Sequence, residues 1–351
     1  MAAISTADGQ SGRGTSVGAS IRAIATHLPE RVLGNDELAA LYPSWPAEKI
    51  LDKTGIRERR IAAEGETAAD LAFQAAQKLF DSGKVARDEV DFVILCTQAS
   101  DYVLPTSACL LQHRLGLRRY IGALDINLGC SGFVYALSMA SGLIAAGAAS
   151  TILLLTADTY SKYIHPRDKS VRTLFGDGAA ATIVARSESG AIGPFVFGTD
   201  GSGAGDLIVE SGAFRTPRCA ETAVEAEDSG GTIRSRDNLY MHGANVMNFS
   251  LREVPRTYAR LLEITGLGTG DVDHVVLHQA NKFMLDALQK KLGVPSAKLP
   301  RRYEDIGNTV SSTIPFVLAD LVKSGQMAAG TRIMLIGFGV GLSWAGASVL
   351  C

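Results

Sequence analysis

A cysteine, a histidine and an asparagine are the residues of this chain best placed to do chemistry. Cys130 stands in Leu128-Gly129-Cys130-Ser131-Gly132, between the strand-like run Ala123-Leu124-Asp125-Ile126-Asn127 and the apolar helix start Phe133-Val134-Tyr135-Ala136-Leu137. A thiol at a helix N-terminus meets unpaired N–H groups and the positive end of the helix dipole, both of which favour thiolate. Gly129 and Gly132 leave room beside it for other backbone or a substrate. His278 ends the run Val275-Val276-Leu277 and precedes Gln279-Ala280-Asn281 and a helix expected over 282–292. Strand ends in open α/β sheets are where ligands and catalytic groups gather. Asn308 sits in the polar turn Asp305-Ile306-Gly307-Asn308-Thr309, ahead of a helix expected to contain 315–322. Each residue taken alone also admits a structural reading, as a packed thiol, a strand-end histidine and a helix N-cap. Three reactive groups at strand-end turns suit one shared site.

The elements that carry them repeat. Val90-Asp91-Phe92-Val93-Ile94-Leu95 matches Val272-Asp273-His274-Val275-Val276-Leu277, an Asp followed by an apolar, β-branched run. Leu79-Phe80-Asp81-Ser82-Gly83 precedes the first run as Leu262-Glu263-Ile264-Thr265-Gly266 precedes the second, the pattern of a helix, a glycine stop and a strand. Residues 145–155 match 324–336 at nearly the same offset. Two pairings about half a chain apart predict a duplicated α/β unit. Its halves are expected over 19–187, with the cysteine, and 188–351, with the histidine and asparagine.

Composition bounds the function. The 351 residues are 46% apolar, enough for a large buried core, and short apolar runs such as 152–155 and 333–336 predict strands covered on both faces by helices. A net charge of −2 gives no basic face for nucleic acid. No run reaches the roughly 18 to 20 apolar residues of a membrane span, and no apolar signal core opens the chain, so a cytoplasmic location is the expectation. Cys96, Cys109, Cys130, Cys219 and Cys351 form no C-x-x-C pair and no Cys/His cluster at metal-ligand spacing, so no metal is expected. Cys96 and Cys109 read as small hydrophobes within a strand and a helix.

Residues 1–18, rich in Ala, Ser, Gly and Thr, are expected to form a flexible tail. The irregular stretch 212–237 reads as a surface flap or a solvated connection, before a helical pattern resumes over 241–249.

In Thr54-Gly55-Ile56-Arg57-Glu58-Arg59, Gly129-Cys130-Ser131-Gly132-Phe133, Phe175-Gly176-Asp177-Gly178-Ala179, His278-Gln279-Ala280-Asn281, Gly307-Asn308-Thr309 and Gly337-Phe338-Gly339-Val340-Gly341, the chain resembles the β-ketoacyl-acyl carrier protein synthase III family of condensing enzymes, in the thiolase superfamily. The resemblance runs over residues 21–350. It implies a thiolase-like, duplicated, five-layered αβαβα fold, a homodimer, and an acyltransferase of fatty-acid or related acyl biosynthesis that needs no cofactor. Cys130 would take an acyl group from a primer thioester. A malonyl-acyl carrier protein would then decarboxylate and attack that group, giving a 3-oxoacyl product. His278 and Asn308 would donate hydrogen bonds to the malonyl thioester oxygen, and the Cys130 N–H with the loop Gly339, Val340, Gly341 would form a second oxyanion hole.

The resemblance also implies binding residues. Leu104 takes the place of the residue that closes the acyl pocket across the dimer. Lys53 and Lys169 replace the arginines that commonly hold coenzyme A, and Lys49 replaces a tryptophan, with Trp45 four residues earlier. Asn281, Lys282, Lys290 and Lys291 lie on or beside the helix after His278, with Lys298, Arg301 and Arg302 beyond, a basic surface for an acidic acyl carrier protein. Coenzyme A and carrier-protein thioesters are both expected as substrates. A related acyltransferase acting on a small-molecule acceptor is the alternative. A thiol hydrolase on a nucleophile elbow is excluded by Leu128, where the elbow has glycine.

Overall fold

The computed structural model describes residues 18–188 and 191–351, so the expected tail over 1–18 lies outside the described residues except for Gly18. Nine strands make the two main sheets: β1 (Gly18–His27), β2 (Phe92–Cys96), β3 (Gly122–Ile126), β4 (Thr151–Asp158), β5 (Gly178–Ser187), β6 (Ala191–Thr199), β7 (His274–Leu277), β8 (Arg332–Gly339) and β9 (Ser343–Leu350). Six helices cover them: α1 (Ala68–Asp81), α2 (Ser107–Arg114), α3 (Gly132–Ala145), α4 (Gly243–Thr265), α5 (Lys282–Leu292) and α6 (Thr313–Lys323).

The first sheet runs β1-β5-β4-β2-β3 and the second β6-β9-β8-β7. Their pairings correspond: β2 is parallel to β4 as β7 is to β8, and β4–β5–β1 run antiparallel as β8–β9–β6 do. This is the duplication expected from the sequence. Its repeated aspartates have one task. Asp91 accepts from the N–H groups of Ser150 and Thr151, and Asp273 from that of Arg332, so each ties its strand to the start of the neighbour. The second sheet has no counterpart of β3 among the described residues; β3 is an open edge of the first.

Period-two burial in the strands builds five layers. Val93, Leu95, Leu153 and Leu155 pack under α1 and α2. Ile94, Ile152 and Leu154 face inward onto α3 and α6, which also meet Val276, Ile333 and Leu335 of the second sheet. Val275, Leu277, Met334 and Ile336 pack outward against α4 and α5. The order is helices, sheet, helices, sheet, helices, the expected αβαβα arrangement. No described helix is long and apolar enough to cross a membrane.

Two local expectations are corrected. Cys109 is exposed on α2 rather than packed. The helix expected over 241–249 starts later: Leu239–Met241 is a short strand paired with Leu207–Val209, and His242 caps α4 by accepting from the Asn245 N–H.

Candidate active site

Cys130 stands two residues before α3, whose N-cap is Ser131, and β8 presses on its turn. A Cβ on Gly337 would lie 2.8 Å from the Cys130 carbonyl oxygen, and one on Gly339 would lie 2.8 Å from Cys130 Sγ, so only glycine permits that approach. Ser131 Oγ and Ser343 Oγ, 2.6 Å apart, join the same turn to β9. The nucleophile of the first half is thereby clamped by strands of the second.

His278 follows β7 and keeps the sheet register through its N–H, which donates to the Ile336 carbonyl. Its ring stands edge-on to Phe338, with centroids 5.5 Å apart, and its Nδ1 lies 2.7 Å from Thr313 Oγ1 at the start of α6. Asn308 is not a helix cap. Its Oδ1 accepts from the Val310 N–H at 2.9 Å, which turns its Nδ2 toward His278 Nε2, 3.5 Å away. Val310 has φ 54°, a region costly for a β-branched residue, and is held there in the turn that aims Asn308.

The three groups meet in one cavity of about 620 Å³. Cys130, His278 and Asn308 are 4%, 2% and 4% exposed. Phe175, Leu207, Met247, Met284 and Phe338 make the rest of the lining largely apolar, and Trp45, Lys53 and Phe283 also line it. Phe283 is 66% exposed, which places the cavity's opening there.

Electrostatics at the thiol differ from the expectation of a favoured thiolate. Burial pushes the Cys130 thiol up to about 12, and the Asp158 carboxylate adds to the rise, while the backbone N–H groups of Val340 and Cys130 offset part of it. Desolvation thus outweighs the helix N-terminus, which acts through only a few partial charges. The two N–H groups bearing on the sulfur are those of the expected oxyanion hole. Burial also lowers His278 to about 3, partly offset by the Val310 carbonyl, so its imidazole is neutral near pH 7. Asp158, wholly buried, is raised to about 7 by burial although Gln98 and Ser311 donate to it. Neutral thiol, neutral imidazole and primary amide can hold a nucleophile and hydrogen-bond donors in an enclosed space without a net charge.

The other expected residues separate. Lys53 lines the cavity and its ammonium lies 5.6 Å from the Trp45 ring centroid; Lys49 lies 5.7 Å from the same ring. Trp45 therefore brings an aromatic face to the cavity from four residues before Lys49, a placement that spacing alone did not reveal. Asn281 lines the cavity and caps α5, accepting from the Met284 N–H. Lys282 pairs with Asp286, Lys298 donates to the Gly270 and Val272 carbonyls, Arg301 binds Asp286 and Gln289, and Arg302 binds Asp305. Lys290 and Lys291, in the last turn of α5, are exposed and away from the lining. Lys169 donates to the Gly230 carbonyl and does not line the cavity. Leu104 is 79% exposed and lines no part of it. Sequence reasoning missed Thr313 and Val310, whose roles follow from the fold of the Asn308 turn.

Comparison with known proteins agrees with this architecture. Residues 124–201 match the family model of 3-oxoacyl-[acyl-carrier-protein] synthase III, and residues 262–351 match the model of its C-terminal part. The chain is 35% identical over 334 residues to a β-ketoacyl-[acyl-carrier-protein] synthase III of Chlamydia caviae, covering 95% of this chain and 96% of that protein. It is 36% identical to the protein of that name from Lactococcus lactis, covering 93% and 97%. A crystal structure of a 3-oxoacyl-(acyl-carrier-protein) synthase III superposes with a TM-score of 0.93 at 63% identity, covering 95% of this chain and all of that one. The priming β-ketosynthase of the R1128 polyketide pathway superposes at 0.84 with 32% identity, covering 97% and 98%. With relatives above 30% identity along nearly its whole length, the chain belongs to the 3-oxoacyl-[acyl-carrier-protein] synthase III family.

Proposed function

We infer that this protein joins an acyl primer to a malonyl-acyl carrier protein by decarboxylative condensation, through an acyl group held on Cys130. The observation that carries this reading is the convergence of Cys130, His278 and Asn308 from the two halves on one enclosed cavity. In the first step Cys130 Sγ attacks the primer carbonyl, the thioester C–S bond breaks, and the thiol proton leaves with the carrier thiol. The N–H groups of Cys130 and Val340 hold the oxyanion. In the second step malonyl thioester loses carbon dioxide, and the electron pair of the broken C–C bond enters an enolate. His278 and Asn308 donate to that enolate oxygen, each contributing on the order of 3 kcal/mol in an enclosed site. The carbanion attacks the acyl carbonyl, the new C–C bond forms, the Sγ–C bond breaks, and the Cys130 thiolate so released takes a proton from water. A neutral His278 suits a donor that never has to act as a cation.

Thioesters are the only substrates this chemistry requires, and we assign no cofactor. Trp45 and Lys53 at the cavity supply an aromatic face and a cation for a carrier arm or a nucleotide, and exposed Lys290 and Lys291 offer positive charge to an acidic carrier protein. A homodimer in the cytoplasm is the working assembly. The open edge of β3, with exposed Tyr102, Val103, Leu104 and Tyr120, supports pairing of two copies, which would bring Leu104 of each toward the other's acyl site.

Intact-mass spectrometry tests the reaction. Incubation with acyl-coenzyme A or acyl-carrier donors should add one acyl mass to the wild type and none to Cys130→Ala. Malonyl-acyl carrier protein should then discharge it into a 3-oxoacyl product with release of carbon dioxide. An adduct indifferent to malonyl thioester would favour transfer to a small-molecule acceptor instead.

A further inference from the structure

A second cavity, of about 470 Å³, lies beside the nucleophile and has no part in the steps above. Leu207 lines both cavities. Gly339 lines the first, while Val340 and Gly341 line the second, so the two meet at the loop against Cys130. Gln98 reaches the residue before the nucleophile: a Cβ on Gly129 would stand 2.5 Å from Gln98 Oε1. Cys130 itself does not line this space; an acyl group on its sulfur would enter past Leu207 and the loop of Gly339 and Val340, where the two cavities adjoin.

Apolar Leu207, Ile208, Val209, Leu239 and Val340 line one part of this cavity, and the rest of its wall is more polar than that of the first. Gln98, Asn127, Tyr160, Tyr163 and Arg218 line it, and their hydrogen bonds run one way. Tyr160 donates its hydroxyl to Gln98 Oε1 at 2.6 Å, Gln98 Nε2 donates to Asn127 Oδ1 at 3.2 Å, and Tyr163 donates to the Gln98 carbonyl at 2.7 Å. Each amide oxygen thereby has a donor. The donors left over among these residues are the remaining amide N–H groups of Asn127 and Gln98 and the Arg218 guanidinium, which makes no hydrogen bond or ion pair among the described residues and has the Asp237 carboxylate as a charge neighbour. A short acyl chain can lie on the apolar part, but an aliphatic end laid against the side of Gln98, Asn127 and Arg218 would cover donors and give them no acceptor, a mismatch worth ~10-fold or more for each donor.

We propose that the acyl group Cys130 receives is short and carries an oxygen acceptor, a hydroxyl or a carboxylate, toward its far end, held in the second cavity by Gln98, Asn127 and Arg218. The inference rests on the acyl-Cys130 reading and names its primer class. Acylation keeps the bond changes given above, and the distal oxygen takes no part in them.

The test is a matched four-carbon series, butyryl, 3-hydroxybutyryl and succinyl, each as the coenzyme A and the carrier-protein thioester, with the rate of adduct formation read by intact mass. On wild type, 3-hydroxybutyryl or succinyl should acylate at least ~10-fold faster than butyryl. Gln98→Met should bring the ratio near one, and Asn127→Leu, at an exposed position, should lower it independently should Gln98→Met not fold. Arg218→Ala separates the two oxygens: loss confined to succinyl identifies a carboxylate, and an unchanged preference for 3-hydroxybutyryl identifies a hydroxyl. Butyryl acylating as fast as both overturns the proposal and leaves the condensing reading intact. Adducts from none of the three, while acetyl thioester labels Cys130, overturn it too; labelling by no thioester at all removes the acyl-enzyme reading itself.

Discussion

Thr313 Oγ1 lies 2.7 Å from Nδ1 of His278 and 3.2 Å from the Val310 carbonyl oxygen, so one hydroxyl proton stands between two acceptors. Given to Nδ1, it leaves the ring proton on Nε2, the nitrogen that faces the Asn308 amide. Donation from His278 to an enolate oxygen requires that tautomer. Thr313→Val keeps the shape and removes the hydroxyl. It is expected to leave acylation of Cys130 near the wild-type rate and to slow malonyl decarboxylation ~10-fold or more, with Thr313→Ser restoring it. Equal losses in both steps would make Thr313 a packing residue only.

A thiol raised to about 12 by burial makes a prediction in pH. Alkylation of Cys130 by iodoacetamide, read on its peptide by mass spectrometry to separate it from exposed Cys109 and Cys219, should climb about tenfold per pH unit from 7 to 9 without levelling. Asp158 is ionised over the upper part of that range and opposes the thiolate. Asp158→Asn should therefore raise the rate at pH 8. A plateau near pH 8 would mean that the helix N-terminus and its N–H groups overcome desolvation after all.

His278 titrates in the opposite sense. Its folded value of about 3 lies below the unfolded 6.5, so an unfolded chain takes up a proton that the folded one refuses as pH falls. The stability contributed by the neutral ring is complete above about pH 6.5 and is lost progressively toward pH 3, on the order of 5 kcal/mol in all. Chemical denaturation at pH 7 and pH 4.5 should show wild type losing more than His278→Gln over that interval. His27, lowered to about 4 and present in both proteins, contributes a common slope that cancels in the comparison. Equal losses in the two proteins would place the ring in contact with water.

Much of this was legible in the sequence because it depends on local pattern. The repeated Asp and apolar run announces a strand tied to its neighbour, and Asp91 and Asp273 do that. Cys130 and His278 stand out in the sequence because each follows a strand, and Asn308 because it closes a polar turn ahead of a helix; the fold brings all three to one cavity. The misses are tertiary. Nothing near Cys130 in sequence tells how fully it is desolvated, so the helix N-terminus looked decisive and was not. Trp45 reaches the cavity from a loop whose path only the fold determines. Gln98, Asn127, Tyr160 and Arg218 come from four separate segments, and no spacing joins them.

Gly339 offers the sharpest separation of chemistry from stability. A methyl group there would sit 2.7 Å from Cys130 Cβ and 2.8 Å from Sγ, closer than real contacts allow, and neither the buried turn of Cys130 nor the central strand bearing Gly339 can yield cheaply. Gly339→Ala should therefore displace the thiol from the Val340 N–H and abolish acylation, a loss of at least ~100-fold. Gly325 supplies the control. It has φ 73° with nothing within 4 Å of a built Cβ, so Gly325→Ala should cost about 1 kcal/mol of stability through its backbone alone and leave the acylation rate unchanged. Thermal unfolding of the two variants beside their acylation rates decides the point. If Gly339→Ala still acylates at a wild-type rate, the loop can move away from the sulfur, and the Val340 N–H is not part of a fixed oxyanion hole.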